Sequence, residues 1–322
     1  MRVLITGGAG FIGSSLTDQL IARGDEVIIV DSFDPFYDER IKRRNIERAL
    51  ASRRVRLIEA DICDTAPLEK ELDADPVDAI VHLAAKAGVR PSLERPLDYV
   101  RVNVDGTQSI LDLARRYEIR PIVFGSSSSV YGDSTPVPFR ETERADAPIS
   151  PYAATKRAAE LICHAHASLH GASIACLRLF TVYGPRQRPD LAIHKFARLM
   201  LRGEEIPFYG DGSTERDYTY VADVVAGVEK ALEWTFTQPQ GAFEIFNIGE
   251  HTTTSLARLV ELIAAELDIR PRFRYLPNQP GDVQRTFADI SKARGMLGYE
   301  PNTTMEEGIR RFVEWLRTQP SD

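Results

Sequence analysis

Apolar residues follow two alternating textures along this chain. Short β-rich runs occur at residues 2–6, 26–30, 55–58, 79–83, 121–124 and 174–179. Between them, at 11–23, 38–52, 95–117 and 152–170, apolar residues return at helical spacing with charges on the other face. The runs predict strands and the stretches predict helices that flank them. Such alternation predicts an α/β fold with a doubly wound parallel sheet. After Gly184 the chain turns to loops rich in Pro, Arg and Gly with shorter helices near 190–202, 255–267 and 305–317, which predicts a smaller C-terminal α/β domain. An apolar strand from Phe243 to Ile248, preceded by a helix over 221–236, reads as a return to the sheet. The two domains are therefore expected to interleave, the first taking residues 1–180 and about 216–248, the second about 181–215 and 249–322.

Composition narrows the possibilities. With 322 residues, 43% hydrophobic and 27% charged, the chain can bury a large core. A formal charge of -7 argues against a nucleic-acid surface, so local basic clusters point to local anions such as a phosphorylated small molecule. Cys63, Cys163 and Cys176 form neither an even disulfide set nor a metal spacing, so no zinc site is implied and a reducing compartment is expected. The N-terminal apolar run is interrupted by glycines, and no stretch reaches the roughly 18 apolar residues of a membrane span. A cytoplasmic protein with no membrane or nucleic-acid partner is expected.

The first strand runs into Gly7-Gly8-Ala9-Gly10-Phe11-Ile12-Gly13, with Gly7, Gly10 and Gly13 spaced by three ahead of a helix. Glycines let the backbone turn tightly against a pyrophosphate, and the N–H groups of the following helix N-terminus carry partial positive charge toward it. The second strand delivers Asp31, whose carboxylate suits the ribose hydroxyls of an adenosine and repels a 2′-phosphate. The combination reads as an NAD site of the Rossmann type.

Ser150-Pro151-Tyr152-Ala153-Ala154-Thr155-Lys156 reads as a helix start, with Ser150 as N-cap and Pro151 at the first helical position. Tyr152 and Lys156 then stand one turn apart on one face. Lowering a tyrosine pKa of about 10 by roughly three units takes about 4 kcal/mol of preference for the phenolate. The Lys156 ammonium, the helix N-terminus and an oxidised nicotinamide are the sources the sequence offers. Upstream, a strand ends in Gly125-Ser126-Ser127-Ser128-Ser129-Val130-Tyr131-Gly132, bringing hydroxyls to the sheet edge where open α/β folds bind ligands. A serine there can share a proton with Tyr152.

These residues, with Asp61-Ile62, Leu83-Ala84-Ala85-Lys86 and Asn103, resemble in order and spacing the extended short-chain dehydrogenase/reductase superfamily and, within it, the nucleotide-sugar epimerases. The resemblance spans nearly the whole chain. It implies that Phe11 and Ile12 in the glycine turn, Asp61 and Ile62 at the adenine, and Leu83, Ala84, Ala85, Lys86 and Asn103 belong to the NAD site. It also implies that Lys156 holds the nicotinamide ribose, Tyr152 is the acid/base, Ser127 is its hydroxyl partner, and Ser128 and Ser129 line the sugar site. A homodimer is expected by the same resemblance; helices 95–117 and 152–170 have apolar faces long enough to pair with a second copy, and a core role within the monomer explains those faces equally well.

Such enzymes begin by removing the sugar 4-hydroxyl proton while the C4 hydride passes to NAD, giving a 4-keto sugar. The 4,6-dehydratases carry an Asp-Glu pair before Val-Tyr-Gly, and the UDP-glucuronate decarboxylases carry a Glu there. This chain has Ser128-Ser129, so the simplest completion is return of the hydride to the other face. Phe180-Thr181-Val182-Tyr183-Gly184-Pro185-Arg186-Gln187-Arg188-Pro189-Asp190 resembles the glucuronate-type epimerases, in which Thr181 and Arg188 approach the sugar carboxylate; a guanidinium fork suits a carboxylate. The segment containing Arg90 and that from Gln279 to Val283 resemble the same group. By analogy Arg216 binds diphosphate and Asp282 the uridine ribose, whereas Gln279 departs from the Arg of glucose-type relatives. The resemblance implies 4-epimerisation of UDP-glucuronate to UDP-galacturonate. The alternatives are a UDP-glucose or UDP-GlcNAc type 4-epimerase, then a decarboxylase or dehydratase, and last a regulator that binds NAD without chemistry.

Overall fold

The computed structural model describes residues 1–277 and 283–320 and is built on a seven-stranded parallel sheet. In spatial order the strands are Phe243–Ile248, Ser173–Leu179, Pro121–Ser127, Ala79–His82, Arg2–Thr6, Glu26–Asp31 and Val55–Glu59. The strands are buried on both faces because alternate residues feed two cores: Val3, Ile5, Val27, Ile29, Val81 and Val123 pack on one side, and Leu4, Ile28, Ile80, Ile122 and Phe124 on the other. Strand order reverses between Arg2–Thr6 and Ala79–His82, so the connections leaving their carboxyl ends diverge and open a crevice there.

The expected strands are all present, and Phe243–Ile248 does rejoin the sheet, pairing in parallel with Ser173–Leu179. Helix expectations needed correction at 95–117. That stretch is a short helix Pro96–Val100 begun by its proline, a π-helical turn Arg101–Asp105, and a helix Gly106–Arg116. Pro96 supplies no N–H, which separates it from the preceding helix Val89–Glu94. Helices Ala66–Ala74, Val89–Glu94 and Ser291–Leu297 were not anticipated, since each is too short to repeat an apolar stripe.

Beyond the sheet, Thr181–Tyr183 pairs in parallel with Tyr218–Tyr220, and Glu205–Tyr209 with Arg272–Leu276. Helices Ala192–Leu201, Leu256–Leu267 and Met305–Arg317 cover these pairs, and their apolar faces join the core on one side of the main sheet. Asp217 stitches this part together. Its fully buried carboxylate accepts from the N–H of Glu250 at 2.7 Å, of Ala288 at 3.1 Å and of His251 at 3.2 Å, and from the Thr219 hydroxyl at 3.2 Å. Burial outweighs these bonds and pushes its pKa up to about 6.

Neighbouring Glu250 leaves one buried carboxyl oxygen without a hydrogen-bond partner. Burial, with the charges of Asp223 and Asp217, pushes it up to about 8. Its contribution to stability is complete below the ordinary carboxyl range and is lost as the pH rises toward about 8, because the unfolded chain releases the proton first. Glu250→Gln is therefore expected to raise the melting temperature, relative to the parent, more in mildly alkaline than in mildly acidic buffer. Equal shifts in both buffers by scanning fluorimetry contradict this.

Candidate active site

The crevice begins at the glycine turn. Gly7 adopts φ +70°, and a Cβ there would come 2.8 Å from the Ala84 nitrogen; a Cβ on Gly13 would collide with the Gly7 carbonyl. Helix Phe11–Arg23 starts at Gly10 with no side-chain cap, leaving its first-turn N–H groups to an outside acceptor. Asp31 closes the far end: its buried carboxylate accepts from Phe33 N–H at 2.9 Å and Ala9 N–H at 3.2 Å, and Lys42 lies 3.5 Å away. This is a cradle that fits a dinucleotide pyrophosphate and ribose.

The other expected cofactor residues surround it. Ala84 N–H donates to the Thr6 hydroxyl at 3.1 Å, and Leu83 N–H to the Thr6 carbonyl at 3.1 Å. Asn103 holds the turn from the π-helical segment, accepting from Lys86 N–H at 2.8 Å and donating to the Lys86 carbonyl and Thr155 hydroxyl, each at 3.0 Å. Its amide is thus spent on positioning the 83–86 turn against the helix that carries Tyr152. Lys86 itself pairs with Asp34 at 2.6 Å. Asp61 pairs with Arg101 at 2.8 Å, and Ile62 is buried against Gly106.

Helix Pro151–His170 is capped as expected, the Ser150 hydroxyl accepting from Ala153 N–H at 3.2 Å. Its first turns bring Tyr152 to the end of strand Pro121–Ser127. Burial raises the Tyr152 pKa, while the Ser127 hydroxyl and the Arg188 charge act to lower it. The net direction is upward. The Lys156 Nζ donates to the Gly125 carbonyl at 2.7 Å and lies 5.0 Å from the centre of the Phe124 ring. Lys156 is itself brought down to about 8 by burial.

At the end of strand Pro121–Ser127, Ser127 lies beside Ser129, whose N–H and hydroxyl are both 3.2 Å from the Ser127 oxygen, and Ser128 opens the single turn Ser128–Tyr131. Thr181 starts a strand, its N–H donating to the Asp217 carbonyl at 3.1 Å. Arg188 lies mostly buried, 5.1 Å from the Phe36 ring and within electrostatic reach of Tyr152. Arg90 stacks on Tyr209 at 5.5 Å, and Arg216 donates to the Glu215 carbonyl at 2.9 Å, so both make their contacts on the C-terminal side. Asp282 and Gln279 lie outside the described residues.

Three participants escaped the sequence reading. Tyr99 sets its ring edge-on to Tyr152, centroids 6.2 Å apart. Phe36 comes from the loop after Asp31. Asp190 holds Arg188 by two bonds, 3.0 Å to Nε and 2.7 Å to Nη2; its spacing of two from Arg188 was the available signal. Among the described residues no group of three or more His, Cys, Asp or Glu side chains is placed to hold a metal ion, and no helix is long and apolar enough to cross a membrane.

Residues 3–249 match the NAD dependent epimerase/dehydratase family. The chain is 37% identical to the UDP-glucuronate 4-epimerase of Thermodesulfobacterium geofontis, covering 98% of this chain and 95% of that one. Its fold is similar to UDP-glucuronic acid 4-epimerase from Bacillus cereus, solved with UDP-glucuronic acid and NAD, at a TM-score of 0.91 and 33% identity over 98% and 99% of the two chains. It is also similar to UDP-glucose 4-epimerase from Thermotoga maritima, solved with UDP-glucose, at a TM-score of 0.88 and 34% identity over 98% and 99%. The crowding at Gly13 gives a direct check of the cradle. Gly13→Ala is expected to keep its far-ultraviolet circular dichroism while its content of bound NAD, extracted and quantified, falls at least about tenfold; undiminished NAD contradicts the assignment.

Proposed function

The chain belongs to the NAD dependent epimerase/dehydratase family, and on that premise we propose that it converts UDP-glucuronate to UDP-galacturonate by NAD-dependent 4-epimerisation. The observation that carries this reading is a guanidinium, Arg188, acting on the same phenol that Ser127 faces. A cation suited to a sugar carboxylate thus shares its surroundings with the Tyr152 phenol at the end of strand Pro121–Ser127, where Ser128 and Ser129 stand in place of the acids that dehydration or decarboxylation would use.

Bound in the glycine cradle, NAD+ would supply a hydride acceptor and a positive ring charge that favours the phenolate. Tyr152 then takes the proton of the sugar 4-hydroxyl and returns it after the ketone has turned its other face. Ser127 hydrogen-bonds the phenolate, and Lys156 keeps a buried positive charge one turn away. Thr181 and Arg188 are assigned to the sugar carboxylate. A 4-keto uronic acid loses CO2 when its carboxylate bond aligns with the ketone π system, so the same two residues also hold that bond out of alignment. Arg216 is assigned to the nucleotide diphosphate, and Arg90 to the substrate side of the site. A homodimer belongs to the same reading: Leu97 on the short helix Pro96–Val100 and Leu161 on the Tyr152 helix are 79% and 56% exposed, on elements that pack together.

A neutral-sugar 4-epimerase is the second reading. It is favoured by the Asp190 carboxylate, which already occupies one edge of the Arg188 fork. Incubation with UDP-glucuronate and, separately, UDP-glucose, with products identified by NMR, decides between them. UDP-galacturonate without label at C5 in deuterated water is expected; conversion of UDP-glucose alone overturns the proposal. In the same assay Tyr152→Phe should lose at least about 100-fold in kcat. Arg188→Ala should raise KM for UDP-glucuronate and the fraction of decarboxylated product. Unchanged values for both quantities remove the carboxylate role of Arg188.

A further inference from the structure

Glu160 lies one turn beyond Lys156 and two beyond Tyr152 on the same helix, with its side chain fully buried. Oε1 accepts from the Ser126 hydroxyl at 2.6 Å and from Arg178 Nε at 2.9 Å; Oε2 accepts from Arg178 Nη2 and Arg157 Nη1, each at 2.9 Å. Ser126 precedes Ser127 at the strand end, and Arg178 is its register partner on the adjacent strand Ser173–Leu179. Arg178 in turn lies over the Tyr131 ring at 4.6 Å. One carboxylate ties the catalytic helix to both strands at the sheet edge.

Resting on the roles given to Tyr152 and Lys156, we propose that Glu160 is a positioning residue of the acid/base centre: it locks the serine-bearing strand end to the Tyr152 helix and sets a buried negative charge one turn from the Lys156 ammonium. Successive strand residues face opposite sides, so fixing the Ser126 side chain fixes the backbone from which the Ser127 hydroxyl meets the phenol. An ion pair this deep contributes little net stability compared with apolar packing, so stability alone does not account for it.

Electrostatics support the second half. Burial works against the Glu160 charge, but Arg178, Ser126 and Arg157 outweigh it and keep its carboxyl below the usual range. Around Lys156 stand His82 from one strand, kept neutral by burial and by Lys156 itself, the Gly125 carbonyl and Phe124 ring from the next, and Cys176 from the third. Burial lowers the Lys156 pKa; Cys163, Glu160 and Cys176 act the other way, and Glu160 is the carboxylate among them.

The test compares wild type, Glu160→Gln and Ser126→Ala as NAD-loaded enzymes. With UDP-glucuronate, E160Q is expected to move the alkaline limb of the kcat profile down by about one pH unit and to lower kcat about tenfold with KM within about twofold. S126A lowers kcat without moving that limb, and S126T restores part of the loss. If E160Q does not fold, E160Q with R178M removes both buried charges and takes its place. Wild-type pH limbs and kcat values in the Glu160 and Ser126 variants overturn the proposal. A wild type that leaves UDP-glucuronate unchanged overturns the assigned reaction instead. Glu160 is then decided by ultraviolet titration of the phenol, taken as a difference against Y152F: an unshifted midpoint in E160Q overturns its role.

Discussion

Exclusion of water at the carboxyl edge of the sheet is the constraint on which the rest of this molecule turns. Burial pushes the Tyr152 phenol toward its protonated form and the Lys156 amine toward neutrality. Each pKa unit amounts to about 1.4 kcal/mol, so a site that works by moving a proton near neutral pH has to balance that cost with fixed charges and hydrogen bonds. Ser127 and Arg188 act on the phenol, Glu160 acts on the amine, and a bound oxidised ring would complete the balance. The low dielectric that imposes the penalty also makes each compensating charge more effective than it would be in water.

The fold supplies those charges from separate elements. Ser127 stands at a strand end, Tyr152, Lys156 and Glu160 on one helix, and Arg188 in the segment after strand Thr181–Tyr183. What holds these together is mostly polar: the Glu160 carboxylate between helix and strands, Asn103 between the 83–86 turn and Thr155, and Asp217 between the strand segments flanking the C-terminal part. Removing one partner from the buried Glu160–Arg178 ion pair costs about 3–5 kcal/mol, which makes it a point of rigidity. Arg188 is held differently. Asp190 and the Phe36 ring orient it, and both of those side chains are themselves partly exposed.

The strands were legible because burial on both faces leaves continuous apolar runs, and the glycine turn was legible because a side chain at Gly7 would meet Ala84 and one at Gly13 would meet the turn itself. Tyr152, Lys156 and the Ser150 cap followed from helix geometry. What spacing along a helix does not say is where the Lys156 amine finds its acceptor; here that acceptor is the Gly125 carbonyl on another element. Glu160 was hidden for a similar reason. An acid on a helix reads as solvent-facing until Arg178, 18 residues on, is seen to cover it. The break within 95–117 was masked because Pro96 sits where a proline starts a helix as readily as it ends one.

The outermost strand of the sheet arrives late in the chain. Residues 180–242 intervene between Ser173–Leu179 and its partner Phe243–Ile248, and they contribute strands of their own elsewhere before the chain returns. A nascent polypeptide emerging from the ribosome thus presents Ser173–Leu179 as an open, apolar ladder for the whole time it takes to synthesise that insertion. Such a ladder templates pairing with other chains. Slow translation through this interval, or a truncation within it, exposes the molecule to aggregation at one defined edge, and chaperone demand follows from topology instead of from any weakness in the finished core.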